Sequence, residues 1–168
     1  RSEEYVRNVK KTKVCSEQTA KYINEILTYA INQGALGSIN HAATQVAGKT
    51  GTSTMGGEAI RKYRMDPSAI MDSWACMYSR EYSIALWYGY DKITDGYNTS
   101  ADNSRKDKIF NLAMRGMVED SPKNFTIPKS VVAIEVENGT IPAMLPSENT
   151  PKDMITTEYF KTGTEPTE

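Results

Sequence analysis

Residues 43–53 read Ala-Thr-Gln-Val-Ala-Gly-Lys-Thr-Gly-Thr-Ser, which sets Lys49 between two glycines and follows it with hydroxyl side chains. The segment fits a short strand. Successive side chains of a strand alternate between faces, so Lys49 and Gly51 fall on one side and Thr50 and Thr52 on the other. A glycine in mid-strand costs stability and often marks a close approach by a ligand or another backbone. An ammonium and two hydroxyls could hold a carboxylate by hydrogen bonds. The strand's own N–H and C=O groups could pair with an extended peptide. These residues therefore describe a sheet-edge platform for a peptide ending in a carboxylate. The same letters also suit a solvent-exposed strand with a turn glycine.

A phosphate-binding loop is the competing reading, because Ala43-x-x-x-x-Gly48-Lys49-Thr50 is close to that pattern. Such a loop must follow a buried strand and open a helix, so that backbone N–H groups cradle the phosphates. Residues 37–41 make a poor buried strand and residues 51–57 a poor helix, which argues against nucleotide. The single histidine, His41, has no acidic or cysteine cluster near it, so a metal site is not expected and the residue reads as part of a loop. Cys15 and Cys76 do not make a disulfide framework and are expected as two unpaired thiols.

The elements that must position these residues can be read around them. At 168 residues the chain suits one domain, or a domain and a tail. Its net charge of −1, with no basic block, gives no footing for nucleic acid. No apolar run is long enough to span a bilayer. The opening Arg1-Ser2-Glu3-Glu4, without methionine, suggests a processed or truncated piece. Residues 1–14 read as an exposed connection. Ser16 is a good N-cap, and Ala20, Ile23, Ile26, Leu27, Ala30 and Ile31 then recur at helical spacing until Gly34, predicting a helix with that stripe as core. After the central strand comes a long excursion over residues 54–71 with a short helix near Glu58–Arg64.

Residues 72–79 and 82–90 predict a hairpin turning at Arg80-Glu81, in which Trp74 and Trp87 are expected as core aromatics. Arg105–Asp120 regains helical spacing through Ile109, Leu112, Ala113 and Gly116, and Ser121-Pro122 ends it. The order helix, strand, strand, strand, helix predicts an α+β fold, an antiparallel sheet with packed helices. Residues 123–168 are richer in proline. Val131–Val136 reads as a strand, folded at Asn138-Gly139 onto Thr140–Leu145. The expected division is residues 1–122 and a small β-containing extension over residues 123–168.

The run Gly48-Lys49-Thr50-Gly51-Thr52-Ser53, a loop, Asp72-x-Trp74, then Tyr82-Ser83-x-x-x-Trp87-x-Gly89-Tyr90-Asp91 resembles the C-terminal half of a penicillin-binding transpeptidase domain. Lys-Thr-Gly is one of the three motifs of the penicillin-binding proteins and serine β-lactamases, with Ser-x-x-Lys and a Ser-Asp-Asn-type triplet. Pro128-x-x-Val131-Val132, the Asn138-Gly139 turn and Glu158–Pro166 look like the closing segment of class A, the bifunctional glycosyltransferase–transpeptidases. Ala75-Cys76-Met77 departs from the family, which more often has Phe and Gly after the tryptophan, and this puts local strand packing in question. The second Lys-Thr-Gly, Lys161-Thr162-Gly163, lies in the proline-rich tail with no strand partner implied and reads as a decoy. No Ser-x-x-Lys occurs in the chain, and Ser38-Ile39-Asn40 and Ser147-Glu148-Asn149 match the triplet spacing only by coincidence. The nucleophilic serine, its lysine and the second motif are therefore expected N-terminal to Arg1.

The resemblance implies an incomplete penicillin-binding protein/serine β-lactamase-like fold. Its activity would be peptidoglycan cross-linking by acyl transfer from D-Ala-D-Ala stem peptides, with covalent β-lactam binding and no cofactor. It implies that Lys49 adds positive potential and hydrogen bonding, that Thr50 and Thr52 hold the substrate carboxylate, that Gly51 lets the substrate approach, and that the Thr52 N–H is an oxyanion donor. Partners would be the N-terminal remainder, stem peptides and β-lactams. The location would be the extracytoplasmic face of a bacterial membrane, through an anchor outside this chain. Two alternatives stay open: a β-lactamase or DD-carboxypeptidase of the same fold, and a non-catalytic peptidoglycan-binding or sensor module.

Overall fold

The computed structural model describes Lys10 and residues 12–33, 44–93, 96–100, 108, 109, 111–113, 115 and 123–167. His41, Gly34 and the Ser38-Ile39-Asn40 triplet lie outside the described residues, as does most of the predicted 105–120 helix. Of that helix, Lys108, Ile109, Asn111, Leu112, Ala113 and Arg115 are helical. The fold is small and α+β, with antiparallel sheets. Its contacts divide into two units, one of residues 23–126 and one of residues 1–22 with 127–168.

Helix α1 (Glu17–Asn32) begins where Ser16 Oγ accepts the Thr19 N–H at 3.1 Å, satisfying a first-turn donor that has no helical partner. Strand β1 (Ala47–Thr54) leads to helix α2 (Gly57–Tyr63), followed by β2 (Ile70–Tyr78) and β3 (Ser83–Gly89). The sheet order is β1-β2-β3, antiparallel throughout, and the 79–82 turn joins the last two strands. Ile31, Val46, Ala75 and Met77 form its buried centre, with Ile84 and Leu86 packed against them.

The predicted stripe of α1 is only partly the core face. Ile31 is buried, but Ile23 is 48% and Ile26 63% exposed, and Ala20 is exposed. A helix can carry apolar residues on more than one side, and this sheet reaches only the side that holds Ile31 and Asn24. Asn24 Oδ1 accepts the Tyr78 hydroxyl at 2.6 Å.

In the other unit β4 (Val131–Glu137) pairs antiparallel with β5 (Ile155–Lys161), not with Thr140–Leu145 as the Asn138-Gly139 signal predicts. The turn does form, with Gly139 at φ +83°, but the chain then runs through Pro142 and Pro146, which have no N–H to donate to a ladder. β5 supplies β-branched and aromatic residues instead. Lys161 therefore has a strand partner, Val131, contrary to expectation, while Thr162 and Gly163 form a turn beyond the strand. Within this unit the Lys21 ammonium sits 3.9 Å above the Tyr159 ring.

Candidate functional site on the β1 edge

The Gly48-Lys49-Thr50 run lies inside β1, and no helix opens before Gly57, which is the wrong setting for a phosphate loop. Lys49, Gly51 and Thr52 are exposed and Thr50 is half-buried. Lys49, Gly51 and Ser53 stand opposite Cys76, Trp74 and Asp72, whereas Thr50 and Thr52 stand opposite Ala75 and Ser73. The lysine and the threonines are therefore on opposite faces, and only the strand's margin is common to all of them.

That margin is open among the described residues, because β1 pairs only with β2. The Ser79 N–H donates to the Tyr82 carbonyl at 2.8 Å, so residues 79 and 82 are a hydrogen-bonded pair of the β2–β3 ladder. In an antiparallel ladder bonded and non-bonded pairs alternate. Residues 77, 75 and 73 of β2 then bond toward β3, while 78, 76, 74 and 72 bond toward β1. Their partners Ala47, Lys49, Gly51 and Ser53 use their backbone groups inside the sheet. Gly48, Thr50 and Thr52 consequently turn their N–H and C=O groups to the open edge. The Lys49 ammonium reaches the same edge and donates to the Thr50 carbonyl at 3.0 Å.

Both ends of the Lys49–Thr52 stretch are fixed. At the near end, a Cβ on Gly48 would lie 2.5 Å from Met77 Cγ, 2.7 Å from the Cys76 carbonyl oxygen and 3.0 Å from Ile31 Cδ1. Only a glycine lets β1 lie this close to β2 and α1. Just before it, the Gln45 N–H donates to Asn124 Oδ1 and the Phe125 N–H donates back to Gln45 Oε1, each at 3.0 Å.

At the far end, Ser53, Asp72 and Gly89 face one another across the three strands. Ser53 Oγ donates to Asp72 Oδ2 at 2.7 Å, and the Trp87 indole N–H donates to Asp72 Oδ1 at 3.0 Å. These bonds, Ser53 first, hold the Asp72 carboxyl below its ordinary range. The regular β1–β2 register ends here and slips between Ser53 and Thr54. In the sequence Asp72 and Gly89 stand out only within the family pattern, and Trp87 reads as a core aromatic. The strand register would have found the group, since Gly89 opposes Asp72 and Trp87 is two residues away on the same face.

Trp74 and Trp87 are not core aromatics in this chain. They are 44% and 38% exposed, with ring centroids 6.4 Å apart on the face opposite α1. Strand alternation leaves no choice once Ser73, Ala75 and Met77 are buried on the other side. Cys15 and Cys76 are free and exposed. No three His, Cys, Asp or Glu side chains cluster to hold a metal among the described residues, and no described helix is long and apolar enough to cross a membrane.

Known proteins place this geometry in context. Residues 127–168 match the family described as penicillin-binding protein 1A, C-terminal domain. The chain is 34% identical over 152 residues to penicillin-binding protein 1A/1B of Bacillus subtilis (strain 168), covering 90% of this chain and 17% of that protein. It is 28% identical over 162 residues to penicillin-binding protein 1A of Clostridium tetani (strain Massachusetts / E88), covering 94% and 19% respectively. The chain thus spans less than a fifth of the length of these two curated relatives.

Proposed function

From the premise that the chain belongs to the class A penicillin-binding proteins, as a C-terminal segment of one, we propose that β1 is one wall of a serine DD-transpeptidase site. The nucleophilic serine of that site is carried by polypeptide outside these residues. On this reading the fold is the penicillin-binding protein/serine β-lactamase sheet, incomplete here. Residues 1–122 belong to the transpeptidase domain and residues 123–168 to a C-terminal extension, in keeping with the family match from residue 127. Membrane attachment at the extracytoplasmic face belongs to the remainder of the protein.

The reaction is acyl transfer. The serine hydroxyl attacks the carbonyl of the penultimate D-alanine in a stem peptide, its proton passes to a base, and the terminal D-alanine leaves as the amine. An amine of a neighbouring stem, or water, then attacks the acyl-enzyme and frees the serine. A β-lactam acylates the same serine by ring opening. In this scheme the Thr52 N–H stabilises the developing oxyanion, a contribution of about 3 kcal/mol for one such donor. The Thr50 and Thr52 hydroxyls and the Lys49 ammonium hold the substrate carboxylate, and Gly51 keeps the wall free of a side chain. The peptide itself pairs along the margin as an added strand.

The observation that carries this reading is the outward turn of the Thr50 and Thr52 backbone groups on an open, exposed strand. The test is Thr52→Val in the complete protein, with acylation by a fluorescent penicillin followed in time. A lost hydrogen bond to a charged group predicts acylation slowed by about tenfold or more with folding little changed. Because valine keeps the backbone N–H, acylation at the parent rate would remove the carboxylate contact assigned to the Thr52 hydroxyl.

A further inference from the structure

We infer that Asp72 is a positioning residue for the β1 wall: its carboxylate, bridging Ser53 of one flanking strand and Trp87 of the other, fixes the end of β1 where Thr52 turns its backbone outward. The inference rests on the proposed transpeptidase reading of β1 and goes beyond it, since Asp72 touches neither substrate nor reacting atoms in that scheme.

An edge strand is held from one side only, and β1 loses its register directly after Ser53. Thr52 is the last outward-facing residue before that slip. Its neighbour therefore has to be held if the N–H is to keep one direction. Pairing resumes beyond the slip, at Thr54 with Ile70 and from the Met55 N–H to the Ala69 carbonyl, but the slip breaks the regular ladder beside Ser53 and leaves its rung without a regular neighbour on that side. Asp72 strengthens that rung with a charge-assisted bond, shorter and stronger than a neutral one. Its 2.7 Å bond to Ser53 adds a side-chain link to the pairing of the same two residues.

The carboxylate would itself be free to rotate if only one oxygen were held. Trp87 prevents this by taking the second oxygen, and the indole can lie there because residue 89 has no side chain. A Cβ at Gly89 would fall 2.5 Å from Trp87 Cζ2 and 2.9 Å from Asp72 Oδ1. Three residues from two strands therefore aim one carboxylate at the third strand. Strand alternation already puts Trp87 on the exposed face, and there its ring covers Gly89 and brings its N–H to Asp72.

The test uses the complete protein with four variants, Ser53→Ala, Ser53→Thr, Asp72→Asn and Trp87→Phe, plus the Ser53→Ala/Trp87→Phe pair. Each is assayed for the second-order rate of acylation by a fluorescent penicillin, well below its own unfolding temperature. A small displacement of the wall predicts a loss of about tenfold for Ser53→Ala and Asp72→Asn, with Ser53→Thr restoring the parent rate. The double variant should lose less than the product of its single losses, because both act through one carboxylate. If Ser53→Ala and Asp72→Asn lower the unfolding temperature but acylate at the parent rate, Asp72 is only structural and the inference fails. If Ser53→Thr is as slow as Ser53→Ala, a hydroxyl is not what matters and it also fails. Thr52→Val separates the two levels at the side chain, since it keeps the backbone N–H: a parent rate there refutes the carboxylate contact of the Thr52 hydroxyl, whatever the clamp variants do, while a parent protein that takes up no penicillin refutes the transpeptidase reading itself.

Discussion

Two glycines in this chain have opposite reasons for being glycine. At position 48 the obstacle to a side chain includes the Cys76 carbonyl, which is part of the ladder and cannot step aside. Gly48→Ala should therefore push β1 off β2 and cost about 1–3 kcal/mol, the usual range for overpacking, in thermal unfolding of the complete protein. At position 89 the obstacle is mainly an indole, which can swing away. Gly89→Ala should cost less, but it should release the Trp87 N–H from Asp72 and shift the tryptophan fluorescence, whereas Gly48→Ala should leave that signal in place. Asp72 also gives a pH signature whose sign is determined. Its carboxyl is depressed in the folded protein by Ser53 and then Trp87, so the stability it adds is present above the unfolded value and is lost as pH falls through the folded one. The stability gap between the parent and Asp72→Asn should be full at neutral pH and close progressively below about pH 4. A gap that stays constant down to pH 3 would mean that the carboxylate is not stabilised by these bonds.

At the scale of elements, the sequence was readable wherever a structure depends on its own residues. The Ser16 cap, the helical spacing of α1, the short α2 and the 79–82 turn each follow from neighbours in the chain. What could not be read was which remote element covers which face. Ile23 and Ile26 obey the helical period as well as Ile31 does, but only Ile31 meets the sheet. The wrong partner for β4 has the same origin: an Asn-Gly turn announces a reversal, but not that a proline-containing loop follows before the true partner arrives. The pairing can be tested by its parity. The Val131 and Glu137 N–H groups donate outward, to the Pro128 and Met144 carbonyls, so residues 132, 134 and 136 face β5. Glu158 opposes Ile134 and must give its N–H to the ladder. Glu158→Pro should destabilise the hairpin by roughly 1–3 kcal/mol for an unmade bond, read as faster amide exchange across residues 131–137. Ile141→Ser, at a side chain 97% exposed within the former candidate strand, should stay within about 0.5 kcal/mol of the parent.

At the scale of the whole chain, the proposed site has a strand to point to but no nucleophile. Acyl transfer of this kind needs a serine activated by a neighbouring base, and the sequence holds Lys-Thr-Gly without any Ser-x-x-Lys. Among the described residues the buried centre of the β1–β3 sheet is Ile31, Val46, Ala75 and Met77, with Ile84 and Leu86 packed on them. Large apolar side chains remain outside it on both faces: Ile23, Ile26 and Tyr29 on α1, and Trp74 and Trp87 on the sheet. If β1 recognises the carboxylate as proposed and the attacking group lies outside these residues, the chain by itself should not open a β-lactam. The 168-residue chain incubated with excess penicillin should therefore keep its parent intact mass. The complete protein, treated in parallel, should gain one ring-opened penicillin. An adduct on the isolated chain that survives denaturation would place the nucleophile within these residues and overturn the division of labour proposed for β1. An unmodified complete protein would remove the transpeptidase reading altogether.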